Sequence, residues 1–323
     1  MMRRSRVVSL VAMASALGMV LAAQQAGTAP EQPGYARQAP RAAKSLLLHA
    51  TRAGKRIVAV GEFGHVLLSD DEGKGWRQAK SVPTTTTLTA VTFVDDKHGW
   101  AVGHGGLVLA SRDGGDTWTI QTGKLEGSDS LFSVWFRDAE RGMAVGPYGY
   151  AIGTGDGGKS WEQVTLAEGE DGERHLNGIF SGPQGQIFVA AEGGRVFRSG
   201  DDGRSWKLIS LPYKGSIWGG MTLKDGGILV WGMRGHALLS RDGGDTWAEL
   251  QTSTDQSLTG GAELDGGTLV LVGANGIMAF GAASQPFKSI VRDDRQCATA
   301  VLPAGRGFLF FYQAGVAEFV MPR

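Results

Sequence analysis

Five copies of one eight-residue pattern, Ser/Thr-x-Asp-x-Gly-x-x-Trp, constrain this 323-residue chain more than any other feature. They read SDDEGKGW at 69–76, SRDGGDTW at 111–118, TGDGGKSW at 154–161, SGDDGRSW at 199–206, and SRDGGDTW again at 240–247. Their tryptophans recur at intervals of 42, 43, 45 and 41 residues. A unit of that length cannot bury its apolar faces alone, so the copies must stack on one another. Within one period LTAVTFV, WAVG, LVLAS and TWTIQT alternate with the turns DDKHG, HGG and RDGGD. Four short strands joined by three hairpins make one propeller blade. The turn between second and third strands recurs as VGEFG at 60–64, VGHGG at 102–106, VGPYG at 145–149, AAEGG at 190–194, WGMRG at 231–235 and VGANG at 272–276, with a degenerate YQAGV at 312–316. Seven such turns predict an all-β, seven-bladed β-propeller of four-stranded antiparallel blades. Fifty-one glycines against ten prolines fit a chain of many tight turns.

The ends of the chain fit this plan unevenly. Arg3, Arg4 and Arg6 precede an apolar run from Val7 to Leu21, with small residues at Ala22 and Ala23, so residues 1–23 are expected to be a signal peptide for Sec or twin-arginine export. An exported, periplasmic protein that does not span the membrane after cleavage follows from that expectation. With the three arginines removed, 29 bases face 32 acids, so no global field favours nucleic acid. The propeller is assigned to residues 45–323, whose last blade shows three strands where four are needed. Residues 24–44 are therefore expected to supply its outer strand, which would remove an exposed sheet edge. Cys297 is the single cysteine, expected to be a small buried residue, and no disulfide can form within the chain.

The five motifs match the Asp-box of the bacterial neuraminidase repeat, and residues 45–323 resemble the seven-bladed propellers of the photosystem II assembly and stability factors. A structural role explains the box. Ser69, Ser111, Thr154, Ser199 and Ser240 can bond backbone within the hairpin, while Asp71, Asp113, Asp156, Asp201 and Asp242 can accept turn amides. Gly73, Gly115, Gly158, Gly203 and Gly244 can supply positive φ, and Trp76, Trp118, Trp161, Trp206 and Trp247 can bury their rings between blades. Calcium is the alternative, but the boxes lack the closing bidentate glutamate of a calcium loop.

Function is expected on the face formed by the turns between second and third strands. Its candidate residues are Glu62, Phe63, His104, Tyr148, Tyr150, Glu192, Arg195, Met233, Arg234 and Asn275, a mixture that suits a protein partner. The resemblance implies a non-catalytic factor that assists a membrane protein complex, with Arg195 and Arg234 as partner contacts. It also points toward export machinery of the RND type. A monomer without cofactor or metal is expected, since the six histidines show no ligand spacing and the glycine pairs open no helix. A sialidase-like glycoside hydrolase or carbohydrate-binding protein is the competing reading. Arginines 195, 234 and 292 or 295, Tyr148 or Tyr150, and the pair Glu62 and Glu192 would have to converge for it, and the latter two lie three blades apart. The acidic stretch Glu168–Glu173 is expected to be a solvated loop.

Overall fold

A computed structural model describes residues 34–122 and 130–320. They form seven antiparallel sheets in chain order, six of four strands and the last of three. The first strands of the sheets are Leu47–Ala53, Leu88–Phe93, Ser133–Phe136, Leu176–Ser181, Ile217–Thr222, Leu258–Glu263 and Ala298–Ala304. Each packs against the next, and the seventh packs against the first, so the ring is closed.

Apolar patterning explains why sheets stack this way. Second strands such as Arg56–Gly61 and Leu269–Gly273 are nearly continuous apolar runs, as expected for strands covered on both faces. In the first blade Val58 and Val60 enter the cluster shared with blade two, whereas Ile57 and Ala59 enter the one shared with blade seven. Seven such clusters occupy the seven junctions. The closing junction joins Leu47, Ile57 and Leu67 to Ala300, Leu309 and Phe311.

The repeated box forms the same hairpin each time. In blade one Gly73 N–H donates to Ser69 Oγ at 2.8 Å, Gly75 N–H to Asp71 Oδ1 at 2.8 Å, and Trp76 Nε1–H to Gly73 O at 2.9 Å. The serine-to-glycine and tryptophan-to-glycine bonds recur in the boxes ending at Trp118, Trp161, Trp206 and Trp247. The carboxylates are filled by their own hairpins. Hydrogen bonds from the Ser160 and Ser205 hydroxyls hold Asp156 and Asp201 at pKa values of about 2, and Asp242 is lowered by Thr246.

Four of the five boxes are also gripped by an arginine of the preceding blade. Arg56 Nη1 donates to Gly114 O at 3.1 Å, Arg112 Nη2 to Gly157 O at 3.0 Å and Arg198 Nη1 to Gly243 O at 2.5 Å, while Arg137 pairs with Asp202. Gly244 has φ +91°, and its missing Cβ would stand 2.9 Å from the Phe188 ring, so a side chain there would push blades four and five apart.

Six of the seven first strands carry a bulge at their second residue, and in four blades this residue links neighbouring blades. Thr89 Oγ1 donates to Leu131 O at 2.5 Å, Asn177 Nδ2 to Ile217 O at 2.9 Å, Thr259 Oγ1 to Ala298 O, and Thr299 Oγ1 to Leu47 O at 2.6 Å. At the third position His49 Nδ1 accepts the Val91 N–H at 3.4 Å, and Ser133 Oγ accepts that of Ile179 at 3.2 Å. An amide donor can bond only the neutral imidazole. Burial pushes His49 down to about 4, and it lowers His65 as well.

Two expectations need correcting. Cys297 is exposed, because it sits in the connection just ahead of the strand Ala298–Ala304 and does not enter the core. The described part of the N-terminal segment, Gly34–Lys44, contributes no strand to the last sheet. It runs along blade one, with Ala36 N–H donating to Val82 O at 3.0 Å, Gln38 Nε2 to Ala79 O at 2.8 Å and Ala39 N–H to Gln78 Oε1 at 2.5 Å, and then buries Ala42 in the closing cluster. Residues 24–33 and the whole expected signal peptide lie outside the described residues. The described edge of the seventh sheet is Gly315–Val320.

Truncation to Gly34 tests whether residues 24–33 complete the seventh sheet, a fall in Tm being the sign that they do. Further truncation to Lys44 removes the four hydrogen bonds that Ala36, Arg37, Gln38 and Ala39 make with blade one, worth about 1 kcal/mol each, and should lower Tm by roughly 5–10 °C more in calorimetry. A separate test concerns pH. Between the unfolded histidine value near 6.5 and about 4 the unfolded chain binds more protons, so His49 should withdraw up to about 3 kcal/mol of stability as pH falls through that window. Urea midpoints at pH 7 and pH 4.5 should converge in His49→Gln relative to the native chain.

Candidate functional site

The turns between second and third strands and the connections into the next blade lie at one end of the sheets and press on each other. Gly61 shows why the first glycine of the turn is needed, since its Cβ would stand 1.9 Å from Leu46 O. Three of the turns place large side chains two residues after that glycine, where blade six has Asn275 at φ 53°. Phe63, Tyr148 and Arg234 have φ of 57°, 52° and 54°, in the left-handed region, where blades two and four have Gly105 and Gly193. An L side chain there costs on the order of 1 kcal/mol. The rings are not bought back by burial, for Phe63 is 59% and Tyr148 71% exposed.

The sequence candidates divide by what their side chains do. Glu62 Oε1 accepts the Leu46 N–H at 2.9 Å, and Glu192 Oε2 accepts that of His175 at 3.2 Å, so both carboxylates cap connections. Arg195 is engaged as well, with Nε donating to Asp171 Oδ1 at 2.9 Å and Nη1 to Ser210 Oγ at 2.9 Å. Asn275 is exposed and its Nδ2 donates to Gln256 Oε1 at 2.6 Å. His104, Tyr148 and Arg234 are exposed, and Arg234 forms no ion pair among the described residues. Met233 and Tyr150 are half-buried.

Several residues at this end were not singled out from the sequence. Tyr148 lies 4.7 Å from the His175 ring, and its N–H donates to His175 Nδ1 at 3.3 Å. Phe132 approaches the other side of that imidazole at 6.2 Å. Leu48 and Trp218 occupy the bulge position that Thr or Asn fills in four other blades, and Phe132 stands just ahead of the strand Ser133–Phe136. The signal was present once the blades were aligned on Leu47, Leu131 and Ile217. Arg292, in the connection from blade six to blade seven, stacks over Phe310 at 4.1 Å and Tyr312 at 4.7 Å.

The arrangement offers exposed aromatic and cationic side chains on the rim, while Glu62 and Glu192 are committed to backbone amides and His236 Nδ1 pairs with Glu249. Among the described residues no group of three or more His, Cys, Asp or Glu is placed to hold a metal ion, and no helix is long and apolar enough to cross a membrane.

A family model described as the photosynthesis system II assembly factor YCF48 matches residues 78–218. The photosystem II assembly protein Ycf48 of Thermosynechococcus vestitus is 41% identical over 132 residues, covering 41% of this chain and 38% of that protein. The chloroplastic photosystem II stability/assembly factor HCF136 of Cyanidioschyzon merolae is 40% identical over 78 residues, 22% of this chain and 18% of its own. The chain thus matches well under half the length of either relative. Among solved structures, YCF48 bound to D1 peptide superposes with a TM-score of 0.71 at 16% identity, over 91% of this chain and 99% of that one. YCF48 from Cyanidioschyzon merolae gives 0.67 at 16% identity, over 88% and 98%. The seven-bladed propeller therefore resembles the photosystem II assembly and stability factors, in sequence over its central blades and in fold over nearly all its length.

Replacing Phe63 or Tyr148 by glycine relieves the left-handed backbone and should leave Tm unchanged or raise stability by up to about 1 kcal/mol in urea titration. A loss beyond that size would show that the rings hold the fold.

Proposed function

We propose that this chain is an exported, non-catalytic propeller that binds a protein partner on the face of these turns and assists the assembly or stability of a membrane protein complex. The observation that carries the reading is the trio Phe63, Tyr148 and Arg234, held in a backbone conformation that disfavours them and left exposed. Strain of this kind persists where a side chain is needed outside the fold, and aromatic and arginine side chains are the common anchors of protein interfaces. His104 and Asn275 flank the anchors, while Glu62, Glu192 and Arg195 shape the rim from within. The similar proteins support a client of this class, since one solved relative is bound to a D1 peptide. A glycosidase reading is less well supported, because the two acids it would use already cap backbone amides.

The test is co-purification of membrane proteins with the tagged full chain after mild crosslinking. The triple variant Phe63→Ala, Tyr148→Ala, Arg234→Ala should lose the captured client at least about tenfold while keeping the native Tm. Undiminished capture would reject this face. The identity of the client separates a photosystem component from an exporter of the RND type, and release of sugar from sialosides by the native chain would overturn the non-catalytic reading.

A further inference from the structure

Arg174 and Arg195 converge on a single carboxylate oxygen. Arg174 Nε donates to Asp171 Oδ1 at 2.7 Å and Arg195 Nε to the same atom at 2.9 Å, while Arg174 Nη2 reaches Glu170 Oε1 at 2.6 Å. Both arginine side chains are only 20% exposed. The Arg174 guanidinium lies over Gly193, where a Cβ would stand 2.6 Å from Nη1, so the turn of blade four is a bare cradle for it. Hydrogen bonds from Arg174 and then Arg195 hold the Asp171 carboxyl below its ordinary range.

Two planar guanidiniums aimed at one carboxylate are the geometry of a carboxylate-recognition site. Here the occupant is the chain's own acid, delivered by the single 3-10 turn Gly169–Glu173 in the connection from blade three to blade four. That turn sits beside the exposed Tyr148: Gly172 O would lie 1.7 Å from a Cβ on Gly149. Glu168 and Glu173 in the same stretch are exposed and form no ion pair among the described residues, so the contact with the arginines is made by Glu170 and Asp171 alone.

We propose that Glu170 and Asp171 form an autoinhibitory strap: they fill a site, built by Arg174 and Arg195, that receives an acidic side chain or a C-terminal carboxylate of the partner when the strap lifts. This rests on the docking face proposed above, because the site shares the turns of blades three and four with Tyr148. A tethered acid competes at an effective concentration near the millimolar range, so a free carboxylate peptide binds the native chain weakly and removal of the tethered acids unmasks the site.

The experiment is anisotropy titration of a fluorescein-labelled hexaglutamate peptide against the full chain. Glu170→Gln with Asp171→Asn should tighten binding about tenfold, a difference readily resolved. Adding Arg195→Gln should abolish the gain. Glu168→Gln with Glu173→Gln removes the same charge from the same loop and should leave binding at the native level. The proposal is overturned by an absent gain, by a gain that survives loss of Arg195, or by an equal gain in the Glu168/Glu173 control, which would mark a general charge effect. Both carboxamide substitutions preserve shape, and an unchanged Tm confirms that the fold is intact. Client capture by the Phe63, Tyr148 and Arg234 variant reads the docking face independently, so either idea can fail without the other.

Discussion

Stability of this ring depends on apolar contact between neighbouring sheets. A blade buries both faces only if it has a neighbour on each side, and seven clusters satisfy seven sheets because the seventh meets the first. Burying a Leu or Ile is worth about 1.5–3 kcal/mol, and each junction holds several. Closure is thus secured by side chains: Leu309 and Phe311 pack with Ile57 and Leu67, Thr299 bonds Leu47 O, and Arg52 Nη2 bonds Pro303 O at 2.8 Å. Among the described residues, packing and a few cross-blade hydrogen bonds fasten the first blade to the last.

The box adds direction to packing that would otherwise be greasy and interchangeable. Its internal hydrogen bonds fix the outer hairpin, and its carbonyls then receive an arginine from the preceding blade at three junctions. Blades six and seven lack the pattern, and aromatic stacking stands in its place: Phe280, Phe308 and Phe319 lie within 5.1–5.9 Å of one another. Both solutions set blade spacing, one by polar geometry and one by ring shape. The opening repeat therefore serves shape, and its aspartates have their acceptors filled within the hairpin.

Much of this was legible in the sequence because a 43-residue period and a two-residue side-chain alternation are both written along the chain. The second-strand runs and the turns they lead into gave blade number and strand order. Contacts between blades were less legible, since they join residues about one period apart: Arg195 looked free until Asp171 was seen beside it, and Glu62 and Glu192 looked like free acids until Leu46 and His175 were placed against them. Cys297 preceded an apolar strand and was read as part of it, whereas the turn before that strand faces solvent. Tyr148 was singled out as a turn residue, but its neighbour His175 and the nearby Phe132 lie on connections between blades, and nothing local in their sequence announces a shared surface.

A scaffold of near-identical blades makes departures from its own rule informative. Position four of the turn is glycine in blades two and four, the inexpensive choice for left-handed backbone, and asparagine in blade six, so Phe63, Tyr148 and Arg234 mark places where the chain accepts strain for a larger side chain. Blade four's glycine has a separate cause, because the Arg174 guanidinium occupies the space its side chain would take. Exposed Tyr148 and the guarded arginine pair consequently sit side by side at blades three and four, one ready for contact and one already satisfied. A surface built this way would discriminate among partners by two conditions at once, an apolar anchor that fits beside Tyr148 and an acid strong enough in its placement to displace Asp171, and weak acidic chains that meet only the second would be turned away.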